Sequence, residues 1–374
     1  MKILLVDKNL VDSISYKKWN ILSKKKNVEL LGVAPEHWME NYRSIDFSPN
    51  PSANFKVVSL PVFWAGYENR GFYLRGLRDL VKKFRPDILL LFEEPWSVFA
   101  FQGTWLRNLY ASNAKIVFHT WDNLSKGWRY PDRPRIFYSS VEKFALKNAH
   151  LLVATNQESA DDFSNRYQVR TRKIYYGVDL EAYRQQPSSK RRRKTIIVGY
   201  FGRLLYAKGV DTIIHAIKKC WISVELLVVG EGPEKARLQA LAQSLGISEH
   251  VRFVNGVDSD KLPRFYHDVD IFVLASRSTA TWKEQYGRVL IEAMAAGVPV
   301  IGSSSGAIPE VIGDAGKVFP EGDVEALARE IANLGQDAQL RKKLSQKGQK
   351  RAERFSAEQF ADAMYSSLCE ICHE

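Results

Sequence analysis

Two glutamates spaced eight positions apart, Glu284 and Glu292, are the residues whose types and spacing most clearly indicate chemistry. Polar residues precede Gly287 and apolar residues recur at helical spacing after it, which predicts a helix that begins near Gly287. A helix start presents unpaired backbone N–H groups and the positive end of the helix dipole, and both suit a phosphate. The two carboxylates would then bind hydroxyl groups on either side of a diphosphate, as in a nucleotide sugar. The alternative interpretation is a solvated loop glutamate and a surface helix glutamate.

A second group of residues adds positive charge to this hypothesis. Gly202 and Arg203 follow an apolar run, and Lys208 and Gly209 come five residues later. An arginine can bind a phosphate through two parallel hydrogen bonds, and a lysine supplies a point charge. The alternative is an exposed turn with two ordinary basic residues.

The elements that must position these residues alternate along the chain. Apolar runs predict strands over residues 2–7, 28–33, 55–60, 88–92, 115–119 and 150–154, and then over 195–202, 224–230, 251–254, 270–274, 298–301 and 317–319. Helical patterns separate them, for example over residues 71–84, 135–148 and 157–167. This alternation predicts parallel sheets covered on both faces, and hence an α/β chain of two Rossmann-like, doubly wound domains facing across a cleft.

The ligands of such sheets bind at the carboxyl ends of the strands. In the first domain this rule singles out Glu93, Glu94 and His119, each at the end of a predicted strand. Their placement alone would allow the two glutamates to bind an acceptor. A single histidine at a strand end is also common in protein cores.

A polar, basic stretch with proline and serine, residues 184–194, separates the two halves. It predicts a first domain over residues 1–185, a linker over 186–194 and a second domain over 195–355. The run KRRRK within this stretch fits either a nucleic-acid patch or a solvated hinge. Nucleic acid is not the expected partner, because no known nucleic-acid-binding motif accompanies the run.

The net charge of +12 is concentrated in the first half of the chain. Residues 1–170 contain 25 Lys and Arg against 17 Asp and Glu, whereas residues 195–374 contain 21 against 23. Such a distribution suits an anionic partner, such as a membrane surface, a phosphorylated lipid or nucleic acid.

A cytoplasmic protein is expected from three further observations. No run approaches the roughly 18 apolar residues of a membrane span, the N-terminal segment has no signal-peptide cleavage site, and three cysteines do not indicate a disulfide framework. Cys369 and Cys372 form a single C-x-x-C pair without a second pair, so metal or redox use is not expected of them.

Together the motifs resemble those of the retaining glycosyltransferases of family four, which have the GT-B fold. The resemblance covers nearly all of residues 195–320 in the family's order, through GRLLYAKG (202–209), LLVVGEGP (226–233), VRFVNGV (251–257), EQYGRVLIEAMAAGVPVIGS (284–303) and SGAIPEVI (305–312). Residues 1–190 match much less closely. RFSAEQF (354–360) resembles the start of the family's closing helix, which implies that residues 356–374 pack back on the first domain.

The resemblance implies roles for the residues that bind the donor. Arg203 and Lys208 would clamp the donor diphosphate. Glu284 would contact hydroxyls of the donor sugar, and Glu292 would hold the ribose hydroxyls.

The resemblance also assigns residues near the sugar. The backbone around Tyr286, Gly287 and Arg288 would face the sugar and the phosphates, and His119 would lie near the sugar. The expected catalytic residues are therefore Glu284, His119, Arg203 and Lys208.

Two departures from the family pattern concern this site. The family's EGFG reads Glu284-Gln285-Tyr286-Gly287 here, which keeps the glutamate and the glycine. Many members carry a glycine pair in the first strand–helix loop, near the acceptor, whereas residues 6–16, VDKNLVDSISY, contain none. We therefore expect an unusual acceptor side.

The implied activity is transfer of a sugar from a UDP-sugar or GDP-sugar to an acceptor hydroxyl, with retained anomeric configuration, in bacterial surface polysaccharide or glycolipid synthesis. No metal is expected, because the site loops lack an Asp-x-Asp pair and no His/Cys cluster is evident. The alternatives are a nucleotide-sugar 2-epimerase and a basic protein that binds a membrane periphery or nucleic acid.

Tryptophans accompany the positive charge of the first domain: Trp19, Trp38, Trp64, Trp96, Trp105, Trp121 and Trp128. They would fit a lipid-linked or saccharide acceptor and peripheral association with the anionic inner face of the plasma membrane. The alternative is that most of them belong to the core.

Overall fold

The computed structural model describes residues 1–11, 16–40, 43–67, 69–124, 135–184, 195–258 and 261–373. The chain forms two compact units. Unit 1 contains Met1–Gly177 and the segment that begins at Ala357, and unit 2 contains Val178–Ser356. The two units divide between Gly177 and Val178, whereas the sequence placed the end of the first domain at residue 185. The expected linker over 186–194 lies outside the described residues.

Unit 1 is built on a seven-stranded parallel sheet with strand order β11-β10-β9-β8-β1-β2-β5. Its strands are β1 (Lys2–Val6), β2 (Glu29–Pro35), β3 (His37–Glu40), β4 (Arg43–Asp46), β5 (Lys56–Leu60), β6 (Val62–Phe63), β7 (Phe72–Tyr73), β8 (Ile88–Leu91), β9 (Lys115–Thr120), β10 (Leu151–Ala154) and β11 (Thr171–Lys173). Two antiparallel pairs, β3 with β4 and β6 with β7, stand outside the main sheet. The central strands are buried on both faces, which explains their continuous apolar sequences.

Five helices of unit 1 precede the second unit in sequence: α1 (Tyr16–Ser23), α2 (Leu77–Phe84), α3 (Val98–Tyr110), α4 (Arg135–Lys147) and α5 (Gln157–Tyr167). The helix predicted over residues 71–84 is shorter than expected. Phe72 and Tyr73 pair with β6, and Gly76, with a φ angle of 88°, precedes the first helical residue. The amphipathic pattern could not show this, because it does not report the pairing of residues 72–73 with the preceding strand β6.

Unit 2 is built on a six-stranded parallel sheet with strand order β14-β13-β12-β15-β16-β17. The strands are β12 (Ile196–Phe201), β13 (Val224–Val229), β14 (Val251–Val254), β15 (Ile271–Leu274), β16 (Val300–Ser303) and β17 (Lys317–Phe319). The helices are α6 (Glu181–Arg184), α7 (Val210–Lys219), α8 (Lys235–Ser244), α9 (Pro263–His267), α10 (Arg288–Ala295), α11 (Ile308–Ile312), α12 (Val324–Gln336) and α13 (Ala338–Ala352).

The strand order of unit 2 reverses between β12 and β15. The chain runs outward from β12 to β14 and then returns to the other side of β12. Ligands of open α/β sheets bind at the carboxyl ends of the strands beside such a reversal. The loops that follow β12 and β15, residues 202–209 and 275–287, therefore lie where a ligand is expected.

The last helix, α14 (Ala357–His373), belongs to unit 1. Phe360 packs edge-on against Trp19 of α1 with ring centroids 5.2 Å apart. Arg170 Nη2 forms an ion pair of 2.8 Å with Glu370, and Arg172 binds the same carboxylate. In the part of the chain that the structure describes, no helix is both long enough and apolar enough to cross a bilayer.

Candidate functional site

Helix α10 begins where the sequence predicted. Gly287 is its N-cap with a φ angle of 68°, and the Leu290 N–H donates to the Gly287 carbonyl oxygen at 2.9 Å. A residue with a β-carbon is strained in this left-handed conformation, so glycine suits the position. The positive end of the α10 dipole thus faces the loop that carries Glu284.

Glu284 is buried, with 7% of its surface exposed. Lys208 Nζ and Ser276 Oγ each donate to its Oε2 at 2.8 Å, and the Gly287 N–H donates to Oε1 at 3.3 Å. Burial acts to raise the pKa of this carboxyl, but the Lys208 charge and these three hydrogen bonds outweigh it and lower the pKa below its ordinary value. An ionised carboxylate and an ammonium group therefore lie side by side between two loops.

Close backbone approaches hold those loops together. A β-carbon at Gly209 would lie 2.0 Å from the carbonyl oxygen of Ala275, and one at Gly306 would lie 2.1 Å from that of Glu284. The Ala307 N–H donates to the same Glu284 oxygen at 2.9 Å. Only glycine fits at these two positions, and three loops at the carboxyl end of the sheet consequently converge.

Glu292 is also buried, with 3% of its surface exposed. Arg288 Nε donates to its Oε1 at 2.7 Å, and the Tyr266 hydroxyl donates to its Oε2 at 2.8 Å. The interpretation of Glu284 and Glu292 as solvated surface residues is therefore wrong, because both are buried and hydrogen-bonded.

The other predicted donor-site residues differ in exposure. Arg203 is exposed, and its guanidinium group has neither a hydrogen bond nor an ion pair with any described residue. The ring of Tyr286 is buried and packs edge-on against Phe355. The Tyr286 ring thus belongs to the packing of unit 2, whereas the Arg203 side chain is available to an anion.

Sequence reasoning missed Arg277, which lies three residues after the end of β15. Its guanidinium group binds Asp211 and donates to Thr212 Oγ1 at 2.8 Å, and it lies 4.7 Å from the ring centroid of Tyr206. Its backbone N–H donates to the Ala207 carbonyl at 2.8 Å. Arg277 thereby fixes the loop that carries Lys208. Its position after a strand was the only sign of this role in the sequence.

The carboxylates predicted in unit 1 are engaged within that unit. Lys8 donates to Glu93 from Nζ at 2.7 Å and from its backbone N–H at 3.2 Å. Glu94 accepts hydrogen bonds of 2.7 Å from Thr120 Oγ1 and from the Trp121 N–H. Glu94 therefore joins the loops after β8 and β9.

His119 lies one residue before the end of β9 in unit 1, whereas the residues predicted to bind the donor diphosphate and ribose lie in unit 2. Its ring is fully buried and stacks on Phe92 at 3.8 Å. Neither ring nitrogen has a hydrogen-bond partner among the described residues. Burial, followed by the charges of Lys18 and Lys8, lowers its pKa well below the ordinary value, so the imidazole is neutral. Its proposed role near the sugar stays a prediction.

Within the described residues, no group of three His, Cys, Asp or Glu side chains is placed to hold a metal ion. Cys369 and Cys372 lie on α14 as free thiols.

Two family models match the chain in tandem. Residues 27–182 match the model described as Glycosyltransferase Family 4, and residues 182–351 match the one described as Glycosyl transferases group 1. The chain belongs to the family-four glycosyltransferases.

Curated relatives match about half of the chain. This chain is 32% identical over 172 residues to a GDP-mannose-dependent α-(1-6)-phosphatidylinositol monomannoside mannosyltransferase of Mycolicibacterium smegmatis. The match covers 42% of this chain and 45% of the relative. The chain is 34% identical over 175 residues to the lipopolysaccharide core biosynthesis glycosyltransferase LpsE of Rhizobium meliloti, covering 46% and 49%. The chain thus spans about half the length of these relatives.

Solved structures resemble the whole chain at lower identity. HepE of Anabaena, solved in complex with UDP, has a TM-score of 0.76 at 22% identity and covers 99% of this chain and 100% of that one. Sucrose-phosphate synthase from Thermosynechococcus elongatus has a TM-score of 0.73 at 18% identity and covers 99% of both chains. These likenesses establish the predicted GT-B fold.

Glu93 provides a pH-dependent test of the unit 1 cluster. Burial raises the pKa of its carboxyl from 4.5 to about 7, although Lys8 opposes the shift. A raised carboxyl pKa contributes stability that is complete below the unfolded pKa and is lost as pH rises through the folded pKa. At about 1.4 kcal/mol for each pKa unit, the loss between pH 5 and pH 8 is of the order of 3 kcal/mol.

We therefore expect Glu93→Gln, which cannot ionise, to become progressively more stable relative to the wild type between those pH values. Urea unfolding at several pH values measures this difference. Glu36→Gln, at an exposed glutamate of unit 1, is the control and should follow the wild type. Parallel profiles for the wild type and Glu93→Gln would show that Glu93 titrates normally.

Proposed function

We propose that the protein is a retaining glycosyltransferase, which moves a sugar from a nucleoside diphosphate sugar to an acceptor hydroxyl. The observation that carries this proposal is the convergence, in unit 2, of the Lys208–Glu284 pair with the start of α10. The named activities of the mannosyltransferase and LpsE relatives, together with the UDP in the HepE complex, support it. These relatives also favour a role in glycolipid or surface polysaccharide synthesis, and no observation favours a 2-epimerase.

The proposed chemistry uses the fixed charges of this site. As the bond between the sugar C1 and the phosphate oxygen breaks, negative charge grows on the leaving diphosphate. The Lys208 ammonium, the Arg203 guanidinium and the N–H groups at the start of α10 stabilise that charge. The acceptor oxygen bonds to C1 from the same face, and its proton passes to the leaving phosphate. Because these groups supply positive charge, we propose that the donor needs no metal ion.

The two carboxylates would orient the donor. Glu284 lies next to Lys208 and would accept hydrogen bonds from hydroxyls of the transferred sugar. Glu292 lies within α10 and would accept them from the ribose hydroxyls. The base, the sugar and the acceptor remain to be found with a panel of UDP-sugars and GDP-sugars, by measuring release of the nucleoside diphosphate.

Replacing the charged groups tests the proposed reaction. We expect Lys208→Ala to lower kcat by about a hundredfold to a thousandfold, because one preorganised charge is lost from the transition state. We expect Glu292→Gln to raise the KM for the donor by about tenfold to a hundredfold, because hydrogen bonds to a charged acceptor are lost. Release of nucleoside diphosphate at several donor concentrations measures both effects. Repeating the wild-type assay with EDTA tests whether the reaction needs a metal ion.

The controls are Lys219→Ala and Glu325→Gln, which alter an exposed lysine–glutamate pair in the same unit. Circular dichroism checks that Lys208→Ala folds, since this change removes an ammonium from beside a buried carboxylate. Near wild-type kinetics in both Lys208→Ala and Glu292→Gln would defeat the proposed site.

We further propose that unit 1 binds an anionic membrane surface. Of the fourteen large hydrophobic residues exposed in the described chain, eleven lie in unit 1. Phe101, Trp105 and Leu109 are spaced four residues apart and form one exposed face of α3. Exposed Ile136 and Phe137 begin the neighbouring helix α4, which packs on α3 through Phe101 and Phe144 with ring centroids 5.3 Å apart.

Positive charge accompanies this apolar face. Lys82 Nζ of α2 lies 4.2 Å from the ring centroid of Tyr110, at the end of α3. Lys83 on α2 and Lys143 on α4 are also exposed. Aromatic side chains suit the membrane interface, and basic side chains suit anionic headgroups. The tryptophans themselves divide: Trp19, Trp38 and Trp96 are buried, whereas Trp64 and Trp105 are about half exposed.

Vesicle flotation tests the membrane proposal. The wild type should float with vesicles that contain anionic lipid, at low salt more than at high salt. Replacing Trp105 and Leu109 together by serine should reduce the bound fraction several-fold, because apolar area that would enter the interface is lost. Trp221→Ser is the matched control, since Trp221 is exposed on unit 2. A wild type that remains unbound at low salt would contradict the proposal.

A further inference from the structure

The carboxylate of Glu292 is held from two different sides. Arg288, on the same helix, binds Oε1 through a side chain that is 39% exposed. Tyr266, on α9, is fully buried and donates to Oε2 from the interior. Oε1 therefore lies beside a partly exposed side chain, and Oε2 beside a side chain of the core.

We infer that Tyr266 is a positioning residue for Glu292, and that its hydroxyl turns the carboxylate so that Oε1 meets the ribose of the donor. This inference rests on the proposed function and adds a residue that the sequence motifs did not identify. Tyr266 itself is buried and would not touch the donor.

The packing of Tyr266 makes its hydroxyl a fixed reference point. Its ring is in edge-on contact with Phe201, at 4.7 Å between centroids, and with Tyr183, at 5.6 Å. It also packs against Phe272 at 5.4 Å. Phe201 ends β12 and Phe272 lies within β15, so the ring is anchored to the two central strands of the sheet.

The hydroxyl also has the right protonation state for this role. Burial, followed by the charge of Glu292, raises the pKa of Tyr266 well above its ordinary value, so the group remains a donor. Its oxygen lies 3.2 Å from the Val289 carbonyl and 2.8 Å from Glu292 Oε2. A carboxylate is a stronger acceptor than a carbonyl, so the Tyr266 hydroxyl donates its hydrogen bond to Glu292.

A glutamate needs such a partner because its last torsion is soft. Rotation of the carboxylate about the terminal bond has broad minima, so packing alone does not fix the direction of its lone pairs. Without the Tyr266 hydroxyl, the carboxylate would remain near Arg288 and Tyr183. Its Oε2 would lose the donor at 2.8 Å, and the carboxylate would lose the orientation that two ribose hydroxyls require. The loss should then appear only for ligands that carry those hydroxyls.

Binding of nucleoside diphosphates to Tyr266→Phe tests the inference. Calorimetry would compare UDP and GDP with the 2′,3′-dideoxy nucleoside diphosphate of whichever base binds. We expect Tyr266→Phe to weaken binding of the ribonucleotide about tenfold and to leave binding of the dideoxy analogue unchanged. In a Glu292→Gln background the effect of Tyr266→Phe should disappear. Tyr16→Phe is the control, because it removes a buried hydroxyl with a carbonyl partner in unit 1.

The outcomes separate this inference from the proposed function. A wild type that binds neither UDP nor GDP overturns the proposed function and this inference with it. A wild type that prefers the ribonucleotide, together with a Tyr266→Phe variant that keeps the same preference, overturns the inference alone. Equal weakening of both nucleotides in Tyr266→Phe shows a merely structural residue and also overturns it. If the Phe variant does not fold, Tyr266→Met, which also removes the hydroxyl donor, is measured in the same way.

Discussion

The ion pair between Lys208 and Glu284 is the interaction on which the candidate site depends. The two side chains are 15% and 9% exposed, and their charged atoms lie 2.8 Å apart. Removing both charges from water costs free energy that their attraction repays only with good geometry and additional hydrogen bonds. Ser276 and the Gly287 N–H supply those bonds to Glu284. The pair therefore ties the loop after β12 to the loop after β15, where the strand order reverses.

The surroundings of this pair are rigid for identifiable reasons. Glycines at 209 and 306 allow backbones to approach within distances that any β-carbon would prevent. Arg277 holds the loop of Lys208 through a backbone hydrogen bond to Ala207 and a contact with the Tyr206 ring. A site of this kind presents charges that are already oriented before a ligand arrives, which is the condition for strong electrostatic stabilisation of a leaving group. The same rigidity extends to Glu292 through Tyr266.

Much of this architecture was predictable from local sequence. The apolar runs indicated the parallel α/β class, and the change from polar residues to apolar residues at helical spacing after Gly287 marked the start of α10. The burial of Glu284 and Glu292 was open between two interpretations, since spacing alone does not report the partners of a carboxylate. Their assigned roles toward a donor stay predictions.

The remaining features depend on contacts that the pattern of a single helix or strand does not report. Tyr266 looked like any core aromatic residue in the sequence, because its partner lies 26 positions away. Arg277 reaches residues more than 60 positions earlier for the same reason. Residues 72–73 form a strand within a predicted helix because they pair with residues 62–63. The described tryptophans of unit 1 could not be sorted into core and surface from the sequence, because the burial of each depends on residues from other strands and helices, and Trp128 lies outside the described residues.

A crystal structure with the nucleoside diphosphate that the donor screen identifies tests most directly whether the start of α10 is the donor site. We predict a diphosphate at the start of α10, within hydrogen-bond distance of Lys208 and Arg203, and a ribose whose hydroxyls contact Glu292. A nucleotide bound elsewhere, with these side chains unchanged, would contradict it.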